Sequence, residues 1–198
     1  MIPGIIRTIP APFVFLDIGA NIGVFSLVAA SRGDCEKVVA IEPIPETINF
    51  LRGNLELNDA ADRVSVIAGA VADTSSPTVS MRSPVGHSRG SRIALGGDII
   101  VPVVRETQID SALEGTTGAI LAKIDVEGSE PDVLAVLRRS THYHRIAGMI
   151  VELNEQKQDT TASVRRMLTE DGLSEIGKGG LAPLYDAYFV RAPAAGST

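Results

Sequence analysis

FVFLDIGANIG, Phe13 to Gly23, is the stretch whose reading decides the fold. Phe13, Val14, Phe15 and Leu16 read as a buried strand that runs on into Asp17 and Ile18. The strand breaks at Gly19, and a helix is expected from Ile22 to Ser31. A strand that ends in an acid and a glycine loop, then feeds a helix, is a cofactor-binding turn. Gly19 and Gly23 are read as letting backbone approach a ligand where a Cβ would clash. Asn21 is the expected N-cap. The run Gly19-Ala20-Asn21-Ile22-Gly23 lacks the G-x-G-x-x-G spacing of a nicotinamide-dinucleotide loop.

Outward from this stretch, strands and helices alternate. Strand two is Lys37 to Ile41, nearly all apolar, and Glu42-Pro43 closes it. A helix follows with Ile44, Ile48, Leu51 and Leu55 on one face. Strand three is Val64 to Ala68, strand four Ala119 to Ile124 and strand five Gly148 to Leu153. Ser129-Glu130-Pro131-Asp132 opens the helix between the last two, with serine as N-cap. A helix over Thr160 to Glu170 and closing strands at Leu173 to Gly177 and Ala187 to Arg191 complete the pattern. The pattern predicts an α/β fold, a mostly parallel, doubly wound sheet with helices on both faces. Residues 74–105 read as a β-rich insertion between strands three and four, with a helix at Glu106 to Leu113. Its short strands, Thr78 to Met81 and Asp98 to Val104, flank the loop SPVGHSRGSR. Residues 1–12 form an irregular lead-in and 192–198 a frayed tail. No linker divides residues 1–198, so one domain is expected.

Composition narrows the function. The 198 residues are 44% hydrophobic, enough for a full core. A net charge of −6 argues against a broad nucleic-acid or anionic-membrane surface. Aromatic residues make up only 4%, too few for base-stacking platforms. The single cysteine, Cys35, excludes an intrachain disulfide and a cysteine metal cluster. No segment approaches the roughly 18 apolar residues of a membrane helix. MIPGIIRTIPAP lacks the basic-then-apolar layout of a signal peptide, and a cytoplasmic location is the expectation.

In a sheet of this kind ligands bind outside the carboxyl ends of the strands. The polar groups gather there: Asp17 to Gly23 after strand one, Glu42 after strand two, Gly69 to Asp73 after strand three. Asp125 to Glu130 follow strand four, and Glu152 and Asn154 end strand five. Glu42 lies about 20 residues past the loop glycines, the distance at which an acid meets ribose hydroxyls. Carboxylates at Asp17, Asp125 and Glu127 would repel a pyrophosphate. They suit a cofactor carrying an ammonium and a sulfonium, which S-adenosylmethionine does.

LDIGANIG, AIEP, AVAD at Ala70 to Asp73, VPVVRETQIDSAL and AKIDVEGSEPDVL occur in that order. Together they resemble the FkbM-type family of class I S-adenosylmethionine-dependent methyltransferases, over about Phe13 to Leu153. The resemblance implies a Rossmann-like seven-stranded sheet of order 3-2-1-4-5-7-6. It also implies S-adenosylmethionine as donor and O-methylation of a hydroxyl on a sugar or small natural product. The implied cofactor-binding residues are Asp17, Gly19, Ala20, Asn21, Gly23, Glu42, Pro43, Ala70, Val71 and Asp125.

On the acceptor side, an alcohol must lose its proton as it attacks the methyl, and Glu127, Asp125 and His87 are the candidate bases. A magnesium route through Asp125, Glu152 and Asn154 is the weaker reading, and no metal is assigned. The expected partner is a small hydroxylated molecule, with neither nucleic acid nor membrane. Twelve residues precede Phe13, too few for a helical lid. The insertion, with Arg82, His87, Arg89 and Arg92, is therefore expected to reach over the strand-four end, within the chain or across a homo-oligomer. The competing readings are a nicotinamide-dependent oxidoreductase and a non-catalytic cofactor-binding or assembly domain.

Overall fold

The computed structural model describes residues 8–82, 92–94 and 96–192. Its first strand, β1 (Phe13–Ile18), is buried along its whole length. The chain continues through α1 (Val24–Ala30), β2 (Cys35–Glu42), α2 (Pro45–Leu57) and β3 (Val64–Ala68). Next come β4 (Ala70–Val71), β5 (Thr78–Arg82), β6 (Arg92–Ile93), β7 (Ile99–Val104) and α3 (Glu106–Leu113). β8 (Ala119–Ile124), α4 (Glu130–Leu137), β9 (Ile146–Asn154), α5 (Gln158–Glu170), β10 (Leu173–Leu181) and β11 (Leu184–Arg191) close the chain.

The main sheet has seven strands in the order β10-β11-β9-β8-β1-β2-β3. Counted within this sheet alone, the order is 3-2-1-4-5-7-6. β1 pairs in parallel with β2 and β8, while β11 runs antiparallel between β9 and β10. Alternation along β1 feeds two cores. Val14, Leu16 and Ile18 pack with Ile109, Val133, Leu134 and Leu168 on the α3, α4 and α5 face. Phe13 and Phe15 pack with Ala29, Leu51 and Leu55 on the α1 and α2 face. β8 alternates in the same way, with Ile120, Ala122 and Ile124 on the first face and Leu121 on the second.

The insertion builds a separate four-stranded sheet, β4-β7-β5-β6. Its short β4, which the sequence reading does not single out as a strand, follows Gly69 directly and pairs in parallel with β7. Met81 and Val101 of this sheet pack on Ile44 and Ala70. The insertion therefore rests beside the ends of β2 and β3. The loop through His87 and Arg89, which the sequence reading places over the β8 end, lies outside the described residues.

Candidate functional site

The faces just described fix where the polar residues go. Asp17 continues the row Phe13–Phe15, and Lys123 continues the row that contains Leu121, so both turn toward α1. They are register partners across β1 and β8. Ser26 of α1 donates its Oγ–H to Asp17 Oδ2 at 2.6 Å. The Lys123 ammonium lies 4.5 Å from the Phe25 ring centroid, also on α1. One pleat further on, Asp125 accepts a hydrogen bond from Lys123 Nζ at 2.9 Å. Val151 pairs with Ile124, so Glu152 stands level with Asp125, and Asp186 of β11 pairs with Glu152. Oxygens of Asp125, Glu127 and Glu152 lie within 4.8 Å of one another.

These groups border a cavity of about 480 Å³, within the size range of small-molecule sites. The loop Gly19–Ile22, Glu42, Pro43, Ala70 and Val71 line one end. Asp125, Glu127, Glu152, Leu184 and Asp186 line the other, and Met81 and Ile93 of the insertion add to the wall. Five carboxylates and one lysine border the space, and that lysine is already paired with Asp125.

Glu42 is buried, and each of its oxygens holds a backbone N–H. Asn21 N–H donates to Oε2 at 2.9 Å and Ile44 N–H to Oε1 at 3.0 Å. Burial raises its carboxyl above the usual range, against the pull of those two N–H groups. Glu42 thus pins the glycine loop to the start of α2. Lone pairs remain on both oxygens for ligand hydroxyls.

Most expected residues line the cavity: Gly19, Ala20, Asn21, Glu42, Pro43, Ala70, Val71, Asp125 and Glu127. Two do not. Asp17 is wholly buried behind the cavity, where Ser26 and Lys123 claim it, rather than at its lip. Burial raises its carboxyl, and Oδ1 has no hydrogen-bond partner among the described residues. Gly23 turns its open side to Leu51, because a Cβ there would stand 2.3 Å from Leu51 Cδ1. Gly23, with φ of 88°, is also the N-cap in place of Asn21, so α1 starts at Val24. His87 and Arg89 lie outside the described residues. Arg82 and Arg92 are exposed register partners. Asn154 is not among the residues that line this cavity with Asp125 and Glu152, and its Oδ1 accepts the Gln156 N–H at 2.9 Å.

Lys123, Phe25 and Asp186 are site residues that the sequence reading passes over. A lysine on the buried face of an apolar strand, two residues before an acid, is the one signal that points to the first of them.

A seven-stranded, mostly parallel sheet with a carboxylate-walled cavity at its strand ends defines a Rossmann-like fold of the methyltransferase class. Within that class, residues 17–174 match the Methyltransferase FkbM domain, and the chain belongs to that family. It is 29% identical over 178 residues to methyltransferase sdnD of Sordaria araneosa, which covers 74% of this chain and 68% of the relative. Methyltransferase 1 of Beauveria bassiana is 27% identical over 188 residues, covering 83% of this chain and 75% of the relative. Among solved structures, the methyltransferase FkbM of Methylobacillus flagellatus superposes with a TM-score of 0.58 at 20% identity. That match covers 88% of this chain and 42% of the larger protein.

Proposed function

We propose that this protein transfers a methyl group from S-adenosylmethionine to a hydroxyl of a small acceptor, a sugar or another natural product. The observation that carries this reading is the charge of the cavity. Among the described residues, phosphate groups would meet five carboxylates and a lysine already paired with Asp125, whereas a sulfonium and an ammonium find the opposite charge. The donor set therefore fits S-adenosylmethionine, which when bound supplies an electrophilic methyl on a cationic sulfur.

The residues divide the work by position. Glu42 would accept from ribose hydroxyls, and its two backbone N–H bonds orient it before any ligand arrives. The loop Gly19–Ile22 would shape the donor end, with Asp125 near the methionine portion. Glu127 and Glu152 would serve the acceptor end, with Leu184 and Asp186 of the closing hairpin lining the same cavity. Few aromatic residues and a net charge of −6 favour a small acceptor over a nucleic acid.

Calorimetry tests the donor directly. S-adenosylmethionine is expected to bind and NAD to fail, and the reverse result would sink the proposal. Glu42→Ala should weaken donor binding at least about tenfold, since a lost charged acceptor costs about 1.4 kcal/mol or more. Glu42→Gln keeps one oxygen and should fall between the two. Unchanged affinity in the alanine variant would remove Glu42 from the ribose site. Transfer of a labelled methyl group to a panel of hydroxylated compounds then tests the acceptor class.

A further inference from the structure

Glu152 has so far only a place. It faces Asp125 and Glu127 from the turn after β8, and Asp186 from β11. Among the described residues, the Lys123 ammonium is bonded to Asp125 and the Lys157 ammonium to the Glu127 carbonyl. Resting on the methyl-transfer reading above, we propose that Glu152 takes the acceptor's proton, and that it becomes ionised only when a cation enters the cavity beside it.

The chemistry needs such a group. As the hydroxyl oxygen forms its bond to the methyl carbon, the carbon–sulfur electron pair leaves with sulfur. The hydroxyl proton must then go elsewhere. A carboxylate that accepts it keeps the site's charge constant, because the sulfonium's positive charge vanishes in the same step.

Among the clustered carboxylates, Glu152 is the one suited to the task. Asp125 is already engaged, with Oδ2 held by the Lys123 ammonium at 2.9 Å. Glu127 sits with φ of 56°, and its carbonyl is held by Lys157 Nζ at 2.9 Å. Three carboxylates this close resist ionising together. Burial, with Asp125 and Glu127 adding to it, pushes the Glu152 carboxyl up to about 8, close to what a base working near neutrality requires. A cation in the cavity works in the opposite direction and favours the ionised form. The proton then leaves Glu152 as the donor arrives, and the base is ready when the acceptor follows.

Proton release on binding reads this out without any acceptor. EDTA-treated protein is titrated at pH 7 with S-adenosylmethionine, a sulfonium, and with S-adenosylhomocysteine, the neutral thioether. Each titration is run in phosphate and in Tris, whose ionisation enthalpies differ, so the heat difference counts the protons. The sulfonium should release close to one proton per site and the thioether clearly fewer, since a group of pKa about 8 is largely protonated at pH 7. Glu152→Gln should still bind the sulfonium, about tenfold more weakly because the gain linked to that proton is lost, and show no release. Equal proton counts for the two ligands in the wild type overturn the inference, whether or not the variant folds. Release that persists in a folded Glu152→Gln protein overturns it as well. Sulfonium binding without release leaves the donor assignment standing and removes only Glu152's role. Failure of both ligands to bind brings down the donor assignment and this inference together.

Discussion

Replacing Lys123 with methionine is expected to lower stability by about 3–5 kcal/mol at pH 7.5, the usual consequence of stripping one partner from a buried charged cluster. Methionine keeps most of the aliphatic stem against Phe25, so lost charge rather than lost volume is tested. Lys123 is 2% exposed. Burial alone would lower its pKa, yet Asp125 and Asp17 more than offset that and hold it above its ordinary value. Without the ammonium, Asp17 is left with Ser26, through its hydroxyl and its backbone N–H. Its folded-state pKa, already raised by burial, must rise further. A carboxyl whose folded pKa is raised contributes most in acid and loses that contribution as pH climbs through it. The variant's deficit should therefore be small near pH 4.5 and grow toward pH 7.5. Urea unfolding at the two pH values measures it. The neutral-pH loss corresponds to a fall in Tm of roughly 6–20 °C for a chain of this size. An equal deficit at both pH values would show that Lys123 acts through packing and not through Asp17 and Asp125.

Lys123 also shows what the sequence conceals. Its neighbours in the chain, Ala122 and Ile124, mark a strand, and a strand alone gives a lysine no partner. The partner Asp17 arrives from 106 positions away through the β1–β8 register. Asp186 is hidden for the same reason, since only the antiparallel β9–β11 pairing sets it opposite Glu152. Glu42, Asp125 and Glu127 are legible because an acid at the end of an apolar run already sits at a strand end. β1, β3, β8 and α3 fall on their expected bounds, each an apolar or amphipathic run closed by clear turn signals. The closing hairpin is longer than expected. The first of its strands is expected to end at Gly177, with Gly179 and Gly180 beyond it, but pairing with β11 holds β10 extended to Leu181. At the start of α1, the expected cap Asn21 is drawn off by Glu42, and that bond also lies outside any local reading.

Gly19→Val is expected to disturb the fold and not merely the ligand. From the sequence, the open side of Gly19 belongs to a ligand. In the structure it belongs to the turn that leaves β8, because a Cβ built there would stand 1.9 Å from the Asp125 carbonyl oxygen and 2.9 Å from its carbon. Both atoms are backbone, and the Asp125 N–H is itself bonded to the Ile18 carbonyl at 3.0 Å, so neither side can give cheaply. The glycine φ of 79° adds about 1–2 kcal/mol for any residue with a Cβ, and overpacking adds about 1–3 kcal/mol more. Donor binding should vanish with it, because Asp125 moves with the loop. Gly23→Ala supplies the control. Its φ of 88° imposes a similar backbone penalty, but its Cβ meets the end of the Leu51 side chain, which can turn aside. Gly19→Ala should therefore cost clearly more than Gly23→Ala in a thermal melt, by about 1 kcal/mol or more, or roughly 2–4 °C. Equal losses, or a Gly19→Val protein that melts like the wild type while failing to bind donor, would return Gly19 to the ligand and undo its assignment to the Asp125 contact.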